Sequence, residues 1–522
     1  MNQVQTSRPV IPAARPLLSA ISLLLLLAVL AVVLFITLRA PLKDDIAWLL
    51  YVARRWMAGR ELYIDVIEVN PPLIIWISAV PISLAQWLDV DIQCVAMPVF
   101  IAMVLACVWW SASLLRANGG LLAHRVPVFA VIGSIFLIVP GADLGQREHL
   151  LVAAFLPYLV LFAQRLDRRH ASIAVLVAAG VLAGLGCALK PCYALVFVAL
   201  ECLALTRGLR PWRVMPVAAA VTLLGYAGLV AIVCPAYFGK AVPLALALYG
   251  ATDVPFLMLL GDSALLIGGQ LVAIALLWLR RRSLADFSLL LTLVIFAATS
   301  TVICFVDGKG WYYHRLPATI ITMLALLLWS ISELVHRRRP VRLPFMVAAL
   351  AIGVFCITSV QRIMPAVEQA VDPKTNTVAH LERIIRAQHA RTYLAFSEWL
   401  AVGFPVVNST GVGWASRFDS MWALKGEVWR ARFDPAATKQ WPVARWVSHD
   451  FIAGCPDIAV VDTRQTTNYI SVLSAADSAF VRAWSRYRRI AAFDGLVVYR
   501  RGKGGCRDVW VAAESGSDVK VR

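Results

Sequence analysis

Between residues 17 and 361 the chain is a succession of apolar, largely uncharged runs of about twenty residues, which matches a hydrocarbon core of roughly 30 Å. A segment that long buried in lipid must satisfy its backbone internally, so each run is confined to a helix. With 60% hydrophobic residues across 522, the chain carries more apolar surface than a water-soluble globule can cover. It reads as a polytopic α-helical membrane protein. The first run, 17–38, exceeds a signal-peptide core and is followed by Arg39-Ala40-Pro41 instead of a small-x-small cleavage site, so it reads as a retained anchor.

A net charge of +18 is what a nucleic-acid partner would call for, but the arginines sit in short clusters between apolar runs: Arg165, Arg168 and Arg169; Arg207, Arg210 and Arg213; Arg280 to Arg282; Arg337 to Arg339 and Arg342. That is the positive-inside pattern, and no basic face interleaved with aromatics lies in a soluble segment, which excludes a nucleic-acid partner. Placing these clusters in the cytoplasm puts the N-terminus inside and a first loop, 39–92, outside. Within it Ile46, Leu49, Leu50, Ala53 and Met57 follow helical spacing, as for an amphipathic helix lying at the bilayer interface. Residues 73–88 are short and contain Pro81. Were they a crossing, every later loop would reverse against the charge rule, so they are expected to be non-crossing or re-entrant. Further spans are expected at 93–115, 126–141, 149–164, 171–188, 191–206, 214–234, 256–279, 284–304, 318–335 and 343–361. Eleven crossings follow, with the C-terminus outside.

From 362 onward charge density rises and short β-like runs alternate with helical ones: 392–396, 457–462 and 495–499. This predicts two domains, a transmembrane one over 1–361 and an extracytoplasmic α/β domain over 362–522. Eight of the ten cysteines lie in apolar runs without metal-ligand spacing, where they act as small hydrophobes. Cys455 and Cys506 alone fall in the tail, where an oxidising compartment would allow them to pair.

On this topology four polar groups meet the outer face. They are the carboxylates Asp44, Asp45, Glu61, Asp65 and Glu68; Asp143 with Gln146-Arg147-Glu148-His149; Lys190 before Pro191; and Lys309 to Arg315, including Tyr312, Tyr313 and His314. Carboxylates can serve as general base while cations hold a phosphate leaving group, the division of labour of an inverting glycosyl transfer. Each element also has a plainer role. Asp44 or Asp45 can cap the helix starting at Ile46, Lys190 can snorkel, Arg147 and Glu148 can form a surface pair, and Trp311, Tyr312 and Tyr313 can belong to an interfacial belt. His149 and His314 are too isolated to argue a metal site, and divalent-ion dependence stays open.

Taken together, the acidic pair after the first span, Gly59 to Tyr63, the Pro-Pro of Glu68 to Trp76, the acidic second loop, Lys190-Pro191 and an aromatic loop ending at Pro317 resemble the GT-C polyprenyl-phosphate-sugar glycosyltransferases. The pattern is most similar to glycosyltransferase family 39, which includes protein O-mannosyltransferases and the lipid A aminoarabinose transferase. The resemblance covers 17–361 and is strongest over 44–76. It implies catalytic roles for Asp44 or Asp45 and for Glu148, with Asp143 as its rival. It further places the family's acid ahead of the Pro-Pro on Glu68 and its lipid-phosphate lysine on Lys190, while the outer-face constellation itself makes Arg147, Tyr312, Tyr313, His314 and Arg315 candidate substrate contacts. Asp44-Asp45 and Asn70-Pro71-Pro72 stand where the family often has Asp-Glu and Lys-Pro-Pro.

The expected activity is therefore transfer of a hexosyl or pentosyl group from a polyprenyl-phosphate donor to a glycan, lipid or protein acceptor in the cell envelope, at the periplasmic face of a bacterial inner membrane. A lipid-linked donor can be flipped and diffuse in the bilayer, whereas a nucleotide sugar has no ready supply outside. The alternatives are a flippase of lipid-linked saccharide, which would place charges near the bilayer midplane and show repeat symmetry, and a non-catalytic envelope-assembly protein.

Overall fold

A computed structural model describes residues 14–502 other than 211, 283, 285, 337–341, 374–375 and 435–436. The chain forms two compact units. The first takes in the described residues up to 39, 85–229 and 254–370; the second takes in 40–84, 230–253 and the described residues from 371 on.

The first unit is helical, and every apolar run expected to cross is built of helix among the described residues. Among the described residues seven are long and apolar enough to span a bilayer: Pro16–Arg39, Ile92–Asn118, Arg147–Leu166, Val214–Val233, Phe287–Asp307, Tyr312–Leu334 and Arg342–Val371. The protein is an integral membrane protein. The other expected crossings are shorter helices, Arg125–Ile138, Ile173–Leu189, Pro191–Thr206 and Ala264–Arg280. The run expected as one span over 256–279 is two helices, Phe256–Asp262 and Ala264–Arg280, broken at Ser263. Pro81 sits inside a continuous helix, Pro72–Leu88, and does not interrupt it.

Packing follows membrane rules. Gly180 and Gly184 lie one turn apart on Ile173–Leu189 and face the Val214–Val233 helix so closely that a Cβ at Gly180 would stand 2.4 Å from the Met215 carbonyl oxygen. Gln270 ties three helices by donating to the Ala297 carbonyl and the Thr301 and Thr322 hydroxyls. Two acids within apolar helices are paired, Glu201 with Arg213 and Glu333 with Arg280. Two helices, Arg147–Leu166 and Tyr312–Leu334, are the most buried of those that can span.

The second unit carries a mixed sheet of β1 (Thr392–Phe396), β2 (Gly413–Trp414), β3 (Ile458–Asp462), β4 (Tyr487–Phe493) and β5 (Leu496–Arg501), in the order β2-β1-β3-β5-β4. β1 pairs in parallel with β2 and β3, and β5 runs antiparallel to β3 and β4. Helices such as Thr377–Ala387 and Val443–Gly454 are built around it. Cys455 is disulfide-bonded; Cys506, its expected partner, lies outside the described residues.

Residues 40–84 of the first loop fold in this second unit. Its helix, Asp44–Met57, buries Ile46, Ala47, Trp48, Leu49, Leu50, Val52 and Ala53, a surface too wide for a helix floating at an interface. Trp48 and Tyr51 pack on Phe404 with ring centroids 4.9 and 5.1 Å away, and the Asn408 side chain donates to the Ala47 carbonyl at 2.9 Å. Of the stripe expected to meet lipid, Ile46, Leu49, Leu50 and Ala53 are thus covered by protein and Met57 stays exposed.

Candidate active site

Three helix ends and one break meet in the first unit. Glu148 stands in the first turn of Arg147–Leu166, where a carboxylate suits the positive end of the helix. Asp307 ends Phe287–Asp307, the end where a helix disfavours negative charge, and the chain then turns through Gly308 at φ 68°. His314 and Arg315 occupy the first turn of Tyr312–His336, which begins earlier than the expected start at 318, so these residues are helical and not part of a loop. Lys190 occupies the extended residue between Ile173–Leu189 and the Pro191–Tyr193 turn, a break that Pro191 enforces.

Lys190 Nζ lies 2.6 Å from Asp307 Oδ2, 3.2 Å from Glu148 Oε1 and 3.0 Å from His314 Nδ1. His314 Nδ1 is also 3.0 Å from Asp307 Oδ2, so it accepts from the ammonium in one tautomer and donates to the carboxylate in the other. Arg147 donates to Glu148 Oε1 at 2.8 Å. Glu148 Oε2 is buried without a hydrogen-bond partner among the described residues. The Glu148, Lys190 and Asp307 side chains are 1%, 10% and 20% exposed, so their attraction is weakly screened by water. The ammonium is held in place by its neighbours, unlike a lysine whose head has snorkelled to the headgroups.

Other expected residues have structural partners. Arg315 donates to the Asp262 and Gly310 carbonyls. The Tyr312 hydroxyl donates to Val139 O at 3.0 Å, and the Arg362 guanidinium lies 3.6 Å from the centroid of its ring. Tyr313 stacks beside Trp311 and lies 4.7 Å, centroid to centroid, from His314. His149 Nδ1 accepts from Gly145 N at 3.1 Å. Asp143 is partly exposed in a 3-10 turn over Gly141–Asp143. Among the described residues no group of three or more His, Cys, Asp or Glu side chains is placed to hold a metal ion.

Asp44, Asp45 and Glu68 belong to the second unit. Asp44 and Asp45 form the first turn of their helix and are partly exposed; Lys43 is the N-cap and its side chain makes no capping bond. Asp44 Oδ1 accepts from Asp45 N at 3.0 Å and lies 3.2 Å from Lys43 Nζ. Neither acid is the cap, and their charge suits the helix start. Glu68 is buried, with one oxygen accepting from Val69 N and Asn70 N and the other from Trp48 Nε1, so it builds the turn before Pro71.

Sequence reasoning missed Asp307. An acid closing an apolar helix is a functional signal, but the apolar run reads as ending at Cys304, which leaves Asp307 in the expected loop, whereas the helix runs on to Asp307. It also missed Asp262 and Arg362.

No family model matches the chain, and no curated protein sequence matches it. The crystal structure of ArnT from Cupriavidus metallidurans bound to undecaprenyl phosphate is similar to it with a TM-score of 0.50 at 15% identity, over 91% of this chain and 97% of that one. The apo oligosaccharyltransferase of Archaeoglobus fulgidus aligns over 92% of this chain and 74% of its own, at 14% identity and a TM-score of 0.43. The chain has the GT-C fold, with a small sheet-bearing region toward its C-terminus.

Proposed function

We propose that this protein is an inverting glycosyltransferase that takes a sugar from a polyprenyl-phosphate donor and passes it to a lipid, glycan or protein acceptor on the outer face of a bacterial inner membrane. The observation that carries this reading is the Lys190 cluster, an ammonium fixed at the ends of apolar helices by two carboxylates and a histidine. The likeness to a fold crystallised with a polyprenyl phosphate supports it.

In the proposed reaction an acceptor hydroxyl attacks the anomeric carbon from the face opposite the phosphate. The new C–O bond forms as the bond to the phosphate oxygen breaks, and the electron pair leaves with polyprenyl phosphate. The phosphodiester carries one negative charge and the departing monoester close to two, so a fixed cation favours the transition state over the ground state. We assign this to Lys190 with Arg147, and Arg315 to the same phosphate. Glu148 and Asp307 act on Lys190: because they hold the ammonium before the reaction, no reorganisation is needed as charge develops. The acceptor proton goes to Asp44 or Asp45, acids exposed enough to meet a substrate hydroxyl. Tyr312, Tyr313 and His314 are assigned to the substrate, Asp143 and Glu68 to supporting contacts. Eleven crossings, a cytoplasmic N-terminus, a transmembrane region over 1–361 and an outer domain over 362–522 belong to the same proposal.

The test is intact-mass comparison of envelope lipids and glycans from cells with the wild-type chain, with none, and with Lys190→Met at equal expression. The proposal expects one sugar-sized mass difference, absent without the chain and absent in the variant. A glycan profile unchanged by loss of the chain would overturn it.

A further inference from the structure

One end of the sheet in the second unit opens into a cleft of about 690 Å3, lined by Gln388, His389, Arg391, Asp457, Arg488, Arg500 and Arg501 among others. The strand register explains why the arginines gather. Arg488 on β4 lies directly opposite Arg500 on β5, and Arg500 directly opposite Ile458 on β3, so the three project from one face; Arg391 immediately precedes β1 beside them. Like charges directly opposite on antiparallel strands are destabilising. A sheet that sets two arginines there without an acid between them has a use for the charge.

The pairing inside the cleft leaves that charge open. Asp457 is occupied: one oxygen accepts from Arg501 at 2.6 Å and the other from the backbone N–H groups of Arg391 and Thr392. Burial alone would raise its pKa, yet these bonds hold it below the usual carboxylate range, so it stays ionised on Arg501. Arg500 donates to the neutral Gln388 amide oxygen. The side chains of Arg391 and Arg488 are exposed and have no hydrogen-bond or ion-pair partner among the described residues. Four guanidinium groups thus face one carboxylate, which is already taken.

We infer that this cleft binds a phosphate monoester together with part of the group that carries it. Planar guanidinium forks match phosphate oxygens bidentately, and a monoester near charge −2 suits the uncompensated excess better than a carboxylate does. The volume falls in the range of small-molecule sites, beyond what one bare phosphate fills. The inference stands on the second unit alone and does not depend on the transfer reaction.

The experiment uses the full chain in detergent and in phosphatidylcholine nanodiscs. Binding of glucose 6-phosphate is measured against glucose, and binding of nanodiscs doped with phosphatidate against undoped ones, for the wild type, Arg391→Gln, Arg488→Gln and the control Arg482→Gln, exposed and outside the cleft. Each cleft variant is expected to weaken binding roughly tenfold, as for loss of one charge-assisted hydrogen bond, with an unchanged melting temperature, and the control is expected to bind as wild type. Loss confined to the soluble arm identifies a free phosphosugar as the source, loss confined to the nanodisc arm a lipid headgroup; both support the site. No saturable binding in either arm, or equal weakening by Arg482→Gln, would overturn it, because the effect would then belong to the chain's overall charge of +18.

Discussion

Replacing Lys190 by Met and Asp307 by Asn, singly and together, separates a built ion cluster from a lysine that happens to sit near a helix end. Nζ is 2.6 Å from Asp307 and 3.2 Å from Glu148, with the three side chains between 1% and 20% exposed. Stranding a fully buried charge costs about 3–5 kcal/mol. Here Glu148 keeps Arg147 at 2.8 Å and Asp307 keeps His314 at 3.0 Å, so each single variant should cost about 2 kcal/mol. The double variant removes both charges of the closest pair and should cost less than the two singles added, by at least ~1 kcal/mol. Unfolding titrations in mixed micelles read the stability arm. Single-turnover transfer reads the catalytic arm, where Lys190→Met should lower the rate by roughly a hundredfold or more. Asp307→Asn should lower it less, because Glu148 still holds the ammonium. Additive stability costs together with a wild-type rate for Lys190→Met would refute the reasoning and leave snorkelling as the account of Lys190.

Asp44→Asn and Asp45→Asn should differ from each other, with one of them cutting turnover at least roughly a hundredfold and leaving donor binding intact, since a neutral amide cannot take the acceptor proton; wild-type rates in both would remove the first loop as the source of the base. For the topology, an alkaline phosphatase fusion after Asp372, the residue following the Arg342–Val371 helix, should be active. Cysteine at the exposed Ala142 should react with an impermeant thiol reagent from outside while cysteine at the exposed Arg282 should not, and the reverse pattern would turn the cluster to the wrong face. In the second unit, burial and then the neighbouring Glu68 carboxylate push Asp419 up to about 7. Its folded pKa lies above the unfolded value, so the native state binds the extra proton; stability is greatest below about pH 4, falls by up to ~1.4 kcal/mol per pH unit as pH rises toward 7, and is flat above. Melting temperatures of wild type and Asp419→Asn across this window test it, and an equal slope in both would exclude Asp419 as the cause.

The crossing helices were legible because lipid leaves a chain few options: a run of about twenty apolar residues must be a helix. The segment over 237–248 was not, since Gly239, Lys240 and Pro243 interrupt its apolar pattern, yet it folds as a π-helical turn followed by a helix, Val242–Leu248. β4 escaped for a related reason: Arg488, Arg489 and Ile490 are all exposed, so no alternation of buried and exposed residues marks the strand. In the candidate site, Glu148, Lys190 and His314 were legible as charges at the edges of apolar runs, and the fold brings them within hydrogen-bonding distance. Asp307 needed the three-dimensional structure, because only there does the helix run on past Cys304 and carry the acid to Lys190. The role of Glu68 needed it too. The resemblance implied a substrate contact for it, and the fold shows its oxygens accepting from Trp48 and two backbone N–H groups.

The central claim is sugar transfer from a polyprenyl phosphate with inversion, and it is tested most directly by purified full-length chain in nanodiscs supplied with isotope-labelled polyprenyl-phosphate sugars and an envelope extract as acceptor. The account predicts release of polyprenyl phosphate matched by a labelled product whose anomeric configuration, read by NMR coupling, is opposite to that of the donor. A product of retained configuration, or release of polyprenyl phosphate that persists undiminished in Lys190→Met, would contradict it.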